Sequence, residues 1–228
     1  MATDTGRSPE PPVRLPVPLM HPTRVARPFH REGWIYEEKY DGWRLVAYKR
    51  AGQTRLLSRH HRDHTRRFPA LAAAIAALAP PTLILDGEVV VFDAQLLSRC
   101  AWLRQRDPAA LATPPIYMVF DLLQTGSHDL RGEPLRTRRA ALERLVSGQR
   151  LIFPARRLAA SGLTAWDEVH QRGYEGLVAK DEASPYVGGR TLAWLKVTQR
   201  TYRAAARGVQ ARSRDRREGA SRETCDDP

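Results

Sequence analysis

Cysteine is nearly missing: Cys100 and Cys225 are the only two in 228 residues. Thiols so few and so far apart exclude a disulfide framework or a cysteine zinc site, and a reducing cytoplasm is the expected home. Long apolar runs are missing as well. None approaches the ~20 residues of a spanning helix, and the proline-rich start has no apolar signal-peptide core, so neither membrane insertion nor export is expected. Among the basic residues the scarce one is lysine. Of 37 Lys plus Arg, only Lys39, Lys49, Lys180 and Lys196 are lysines. Arginine stays protonated at any working pH and cannot serve as a nitrogen nucleophile, so a lysine kept in this arginine-biased chain points to a need for an amine.

What is present is an apolar fraction of 42%, enough to bury a core in one large domain or two small ones. The formal net charge of +12 suits a polyanionic partner without selecting one. Lys39 has the most pointed setting of the four lysines, inside Tyr36-Glu37-Glu38-Lys39-Tyr40-Asp41-Gly42-Trp43-Arg44. Acids, aromatics and a glycine around one lysine suggest a nucleophile at the mouth of a strand. An amine attacks phosphorus only when deprotonated, so Tyr40, Trp43 and Arg44 are expected to form a partly buried, positive setting that lowers its pKa. The competing reading is a surface lysine on a hairpin.

Strands are expected over 34–39 and 44–49, with a turn at Arg50-Ala51-Gly52-Gln53 and a return over 54–57, leaving Lys39 in the loop between the first two. An alanine-rich helix over 69–79 would turn Leu71, Ile75 and Leu78 inward. Apolar runs on both sides of Asp86-Gly87-Glu88 give a strand apolar on both faces and interrupted by two carboxylates. Burying these is costly unless they bind a hydroxyl or a cation, so Glu88 is a candidate site residue against a structural ion pair. Over 93–115 the sequence reads as irregular, and the competing reading is a helix that packs Leu97, Ala101 and Trp102 inward with Arg99, Arg104 and Arg106 outward. A strand over 116–123 carries Phe120. The next helix, 137–146, would hold Leu142, Leu145 and Val146 inside and Arg138, Arg139 and Arg144 outside. A short strand at 151–153 precedes a helix with Thr164 as N-cap and Gly173 as terminator, and a strand over 176–180 then carries Glu175 at its mouth.

Glu37, Lys39, Asp41, Gly42 and Arg44 resemble the first motif of the covalent nucleotidyltransferases, the family of ATP-dependent DNA ligases, RNA ligases and capping enzymes. Leu57-Ser58-Arg59, Leu85-Asp86-Gly87-Glu88-Val89, Val119-Phe120-Asp121-Leu122-Leu123, Glu175-Gly176-Leu177-Val178-Ala179-Lys180 and Trp194-Leu195-Lys196 resemble the remaining motifs in family order, over residues 17–198. Ser184-Pro185-Tyr186 and Gly189-Arg190 are most similar to ATP-dependent DNA ligases of the bacterial end-joining type. The resemblance implies an α+β nucleotidyltransferase (ATP-grasp-like) domain of antiparallel sheets flanked by helices and meeting at a nucleotide cleft. It implies ATP with Mg2+ or Mn2+ as cofactors, nicked or broken DNA as partner, and Lys39 as the residue that takes AMP. Carried over by position, Glu37 and Phe120 would hold adenine, Arg44 and Glu88 the ribose, and Arg59, Lys180, Arg190 and Lys196 the phosphates. Asp41 and Glu175 would position the metal.

The sequence departs from the family pattern in places. His60-His61-Arg62 stands where a small turn is usual, and a metal role for adjacent histidines is disfavoured because neighbouring side chains diverge. Thr198 replaces a second lysine. Residues 199–228 hold eight arginines and five acids with hardly any large apolar side chain, so they cannot form the OB-fold that follows in the family. A flexible basic tail is expected there, a disordered arm over 1–16, and a partner protein supplying an OB-fold or end-joining function. Two alternatives stay open: a non-catalytic nucleic-acid-binding remnant of a ligase, and an RNA ligase or capping-type nucleotidyltransferase.

Overall fold

The computed structural model describes residues 16–104, 113–199 and 202. The chain runs through β1 (Met20–Arg24), β2 (Trp34–Lys39), β3 (Trp43–Arg50), β4 (Gln53–Ser58), α1 (Pro69–Ala76), β5 (Thr82–Val90) and α2 (Cys100–Arg104). It continues through β6 (Ile116–Thr125), β7 (His128–Asp129), α3 (Leu135–Leu145), β8 (Ile152–Pro154), α4 (Gly162–Arg172), β9 (Gly176–Asp181) and β10 (Gly189–Thr198). One sheet has the order β1-β10-β9-β2, the other β4-β3-β5-β6-β7, with β8 pairing β6. The architecture is α+β, with one correction to the wholly antiparallel expectation: β1 pairs β10 and β8 pairs β6 in parallel.

The period of two along each strand builds the layers. On β3, Leu45 and Ala47 join a core with Leu71 and Ile75 of α1 and Leu142 of α3. Val46 and Tyr48 face the other way, onto Met20 and Trp194 of the first sheet. On β9 and β10, Leu177, Ala179, Leu195 and Val197 pack on Ala165 and Val169 of α4. The intervening residues therefore face the gap between the sheets: Glu37 and Lys39 on β2, Arg44 on β3, Asp86 and Glu88 on β5, Phe120 on β6, Lys180 on β9 and Lys196 on β10. Glycine is required where β2 turns into β3, since a Cβ on Gly42 would lie 2.4 Å from the Val89 carbonyl oxygen. The β3–β4 turn uses left-handed backbone at Ala51 and Gly52, the twist that a two-residue hairpin favours.

Several helix expectations need correction. α3 begins at Leu135 rather than at residue 137, and Arg138 and Arg139 are 0% and 1% exposed instead of outward. Burial is tolerated because each guanidinium meets acceptors in place. Arg138 donates to both oxygens of Asp121 at 2.8 Å and to the Ser184 carbonyl at 2.9 Å. α4 starts at Gly162 with Ser161 at its N-cap, so Thr164 lies within the helix, while Gly173 ends it in the left-handed region at φ 73° as expected. In α2 the buried residues are Cys100 and Leu103, with Ala101 and Trp102 half-buried, because this short helix meets the core by its other face. Arg99 is not merely outward; it pairs with Asp93.

Folding continues beyond residue 198. The Gln199 amide donates to the carbonyls of Val169 and Tyr174 at 3.0 and 2.7 Å. Arg106, residues 1–15 of the expected arm and the expected tail apart from Gln199 and Tyr202 lie outside the described residues. Among the described residues no helix is long and apolar enough to cross a membrane.

Removing one partner of a fully buried ion pair leaves a charge without compensation, at a cost of about 3–5 kcal/mol. Arg138→Met is therefore expected to lower unfolding stability by about that amount in a urea titration. Adding Asp121→Leu should recover most of the loss; a single-variant change below about 1 kcal/mol would contradict the burial.

Candidate active site

Lys39 is the last residue of β2, at the mouth of the gap, rather than in the following loop. Its Nζ lies 2.5 Å from Oε2 of Glu175, the residue just before β9. The pairing of Lys39 with Gly176 in the β2–β9 register makes this approach unavoidable. Asp41 sits in the β2–β3 turn, its N–H donating to Ser98 Oγ at 2.9 Å. Its Oδ2 accepts from the Cys100 N–H at 3.4 Å and from the Tyr202 hydroxyl at 3.2 Å. Glu88 is opposite Arg44 in the β3–β5 register and faces the same gap.

The electrostatics correct the expectation for Lys39. Burial pulls its pKa down, but the carboxylates of Glu175, Glu88 and Asp41 outweigh burial and hold it above the ordinary lysine value. The residues expected to lower it are turned elsewhere. Trp43 faces the helices, against Phe68 with Arg67 over its ring. The Tyr40 hydroxyl accepts from the Arg156 N–H at 2.9 Å. Arg44 is committed to Asp86, with Nε and Nη2 at 3.0 and 2.7 Å, and to the Met20 carbonyl at 2.9 Å. Among the described residues Glu88 has no such hydrogen-bonded partner in the gap. Burial pushes its pKa up to about 8, Lys39 and Arg44 pull it back, and Glu175 and Asp41 add to the rise.

Deeper in the gap, the Arg44 guanidinium is 5.3 Å from the centre of the Phe120 ring, and Tyr186 donates to Asp86 Oδ2 at 2.7 Å. Lys180 Nζ lies 4.7 Å from the Phe120 ring centre, 4.2 Å from that of Trp194 and 2.7 Å from Glu37 Oε2. Burial lowers the Lys180 pKa, with Glu37 and Asp121 opposing. Arg139 takes the other oxygen of Glu37. Lys39, Asp41, Glu88 and Glu175 thus share one end of the gap, and Glu37, Arg44, Phe120 and Lys180 form its wall.

Arg59 and Lys196 flank the same opening from the β1 side, where both add to the fields that, after burial and Arg44, lower the His21 pKa. Arg59 is exposed just past β4, donating to His60 Nε2 at 3.1 Å. Arg190 is exposed at the start of β10, opposite His21, and β10 bulges between Thr191 and Leu195, so that Lys196 lies opposite Arg24, three positions further along β1.

Three carboxylates face one ammonium here, an excess of oxygen donors that fits a hard divalent cation. Among the described residues, however, no three His, Cys, Asp or Glu side chains are gathered to hold a metal by themselves. The donor set fits a cation that takes one or two carboxylates and completes its shell with phosphate oxygens and water.

Sequence reasoning missed Arg138, Arg139 and Tyr202. The arginines had a signal: they occupy the third and fourth positions between Leu135 and Leu142, on the stripe that must face inward. Nothing in the composition around Tyr202 marks it.

The profile of the ATP dependent DNA ligase domain matches residues 16–198. The multifunctional non-homologous end joining DNA repair protein LigD of Mycobacterium tuberculosis H37Rv is 35% identical over 164 residues, which are 72% of this chain and 21% of that protein. DNA ligase C of the same organism is 34% identical over 159 residues, 64% of this chain and 44% of that protein. The chain therefore spans about a fifth to under a half of these relatives. A solved mycobacterial DNA ligase D, complexed with ATP and MES, superposes with a TM-score of 0.71 at 32% identity, covering 80% of this chain and 60% of that one.

Glu88 also makes stability depend on pH. Its folded pKa of about 8 exceeds the ~4.3 of an unfolded glutamate, so the stability it contributes is fully present below the unfolded value and is lost as pH rises toward 8. Glu38, pushed up to about 7 chiefly by burial, adds a parallel loss. Thermal melts from pH 4.5 to 9 should show Glu88→Gln flattening part of this decline and melting above the wild type at pH 8–9. Equal slopes would mean that Glu88 titrates normally.

Proposed function

Since the chain belongs to the ATP-dependent DNA ligase family, we propose that its cleft binds ATP and forms a lysyl-AMP intermediate on Lys39. The observation that carries this reading is the 2.5 Å contact between Lys39 Nζ and Glu175 Oε2 at the mouth of a gap walled by Phe120, Arg44 and Glu88. Lys39 Nζ attacks the α-phosphorus; the N–P bond forms as the bond to the bridging oxygen breaks, and pyrophosphate leaves. One Nζ proton of the ammonium passes to Glu175 Oε2 before the attack, the carboxyl of Glu175 being held above its usual pKa chiefly by burial, and the second leaves to solvent as the N–P bond forms. Once that negative charge is withdrawn, burial favours the neutral amine.

Glu37 and Phe120 would hold the adenine, and Arg44 and Glu88 the ribose. Arg59, Lys180, Arg190 and Lys196 would serve phosphates, with Lys196 and Arg59 supported by their shared position at the opening. Asp41 and Glu175 would hold Mg2+ or Mn2+, which would offset negative charge on the transferring phosphoryl group. The Cys100 N–H and the Tyr202 hydroxyl orient the Asp41 carboxylate for that task. In the steps that follow, AMP passes to a 5′ phosphate of nicked or broken DNA, and a 3′ hydroxyl displaces it. A cytoplasmic location with the DNA and a partner protein supplying an OB-fold or end-joining function complete the proposal.

Incubation with α-labelled ATP and magnesium, followed by denaturing electrophoresis, should leave label on the wild-type chain. Lys39→Arg keeps the charge but removes the nucleophile and should abolish labelling. A Lys39→Arg chain that labels as strongly as wild type would refute the assignment.

A further inference from the structure

We propose that Arg139 of α3 is a positioning residue that sets purine selection, by fixing the Glu37 carboxylate as an acceptor facing the base; this rests on the reading that Glu37 contacts the base. Arg139 is 1% exposed and distributes its donors over three partners. Nη1 binds Glu37 Oε1, Nη2 binds the Ala155 carbonyl, and Nε binds Glu143 Oε1 at 2.9 Å. The other oxygen of Glu37, Oε2, is bound by Lys180 Nζ at 2.7 Å. The carboxylate is thus gripped from the helix side and from β9 at once.

Two buried cations hold this carboxylate in place, one on each oxygen, and a carboxylate accepts hydrogen bonds with a lone pair left on each oxygen. Facing it, a purine whose edge carries an amino group finds a matched acceptor. A purine with a carbonyl there sets oxygen against oxygen, and a buried polar site rejects a mismatched group strongly. Lys180 also stands 4.7 Å from the Phe120 ring centre, so the same network ties the acceptor to the stacking face. Without Arg139, Glu37 keeps a single cation and is free to turn away from the base edge. Arg139 therefore acts through Glu37 rather than on the nucleotide.

The test is the ratio of dissociation constants for GTP and ATP, measured by calorimetry on the full chain. Wild type should favour ATP, and Arg139→Met should reduce the ratio about tenfold, mainly by weakening ATP. Arg139→Lys, which keeps the charge but cannot reproduce the three-way fork, should reduce it by less. Arg136→Met, on the exposed face of the same helix, should leave it unchanged. Glu37→Gln, able to present a donor, should also reduce it. If Glu37→Gln lowers the ratio and folded Arg139 variants do not, the positioning role is overturned while the base contact stands. A wild-type ratio in Glu37→Gln overturns the base contact and the proposal with it. Should Arg139→Met fail to fold, as a thermal melt would show, Arg139→Lys decides: an unchanged ratio there overturns the proposal.

Discussion

The ion pair between Lys39 and Glu175 joins the end of β2 to the start of β9, and the electrostatics of the cleft turn on it. Burial by itself would lower the Lys39 pKa; the surrounding carboxylates raise it above the ordinary lysine value instead. An ammonium has no lone pair with which to react, so the attack proposed for Lys39 requires the charge on Glu175 to be withdrawn first. Burial is the main cause of the raised pKa of Glu88; Lys39 and Arg44 oppose it, and the carboxylates of Glu175 and Asp41 add to it.

Around this point the fold carries an unusual number of internal charges for a chain of this size. Arg44 with Asp86, Arg138 with Asp121, and Arg139 and Lys180 with Glu37 all lie between or behind the sheets. Buried pairs add little net stability compared with apolar packing, but they fix orientation because a guanidinium fork fits a carboxylate in one geometry. Here they connect α3 and both sheets to the walls of one gap. A rigid wall suits the nucleotide-binding role proposed for this gap.

Much of this was legible in the sequence. The strand around Lys39 and the carboxylates at 86 and 88 follow from residue type and spacing, and Phe120 and Glu175 from the resemblance to the nucleotidyltransferase motifs; alternation with period two delivers the strand side chains to one gap. Three features were less legible, each for a physical reason. The pKa of Lys39 depends on Glu175, which is 136 residues away in the chain, so the neighbours in sequence pointed in the wrong direction. Arg138 and Arg139 are charged, and a rule that sends charge to the surface fails where Asp121 and Glu37 wait inside. The start of α4 was misplaced because Thr164 offers a capping hydroxyl that the helix does not use; Ser161 occupies the N-cap without a side-chain hydrogen bond.

The central claim, that the carboxylates hold Lys39 as an ammonium in the free protein, can be measured directly because the chain has only four lysines. With lysine labelled at the ε-carbon, NMR titration gives one curve for each. The account predicts that Lys39 stays charged beyond the ~10.4 of a free lysine, that Lys180 titrates below it, and that Glu175→Gln brings the Lys39 curve down. A Lys39 that is already neutral near pH 8 in the wild type, or one that Glu175→Gln leaves unmoved, would contradict it.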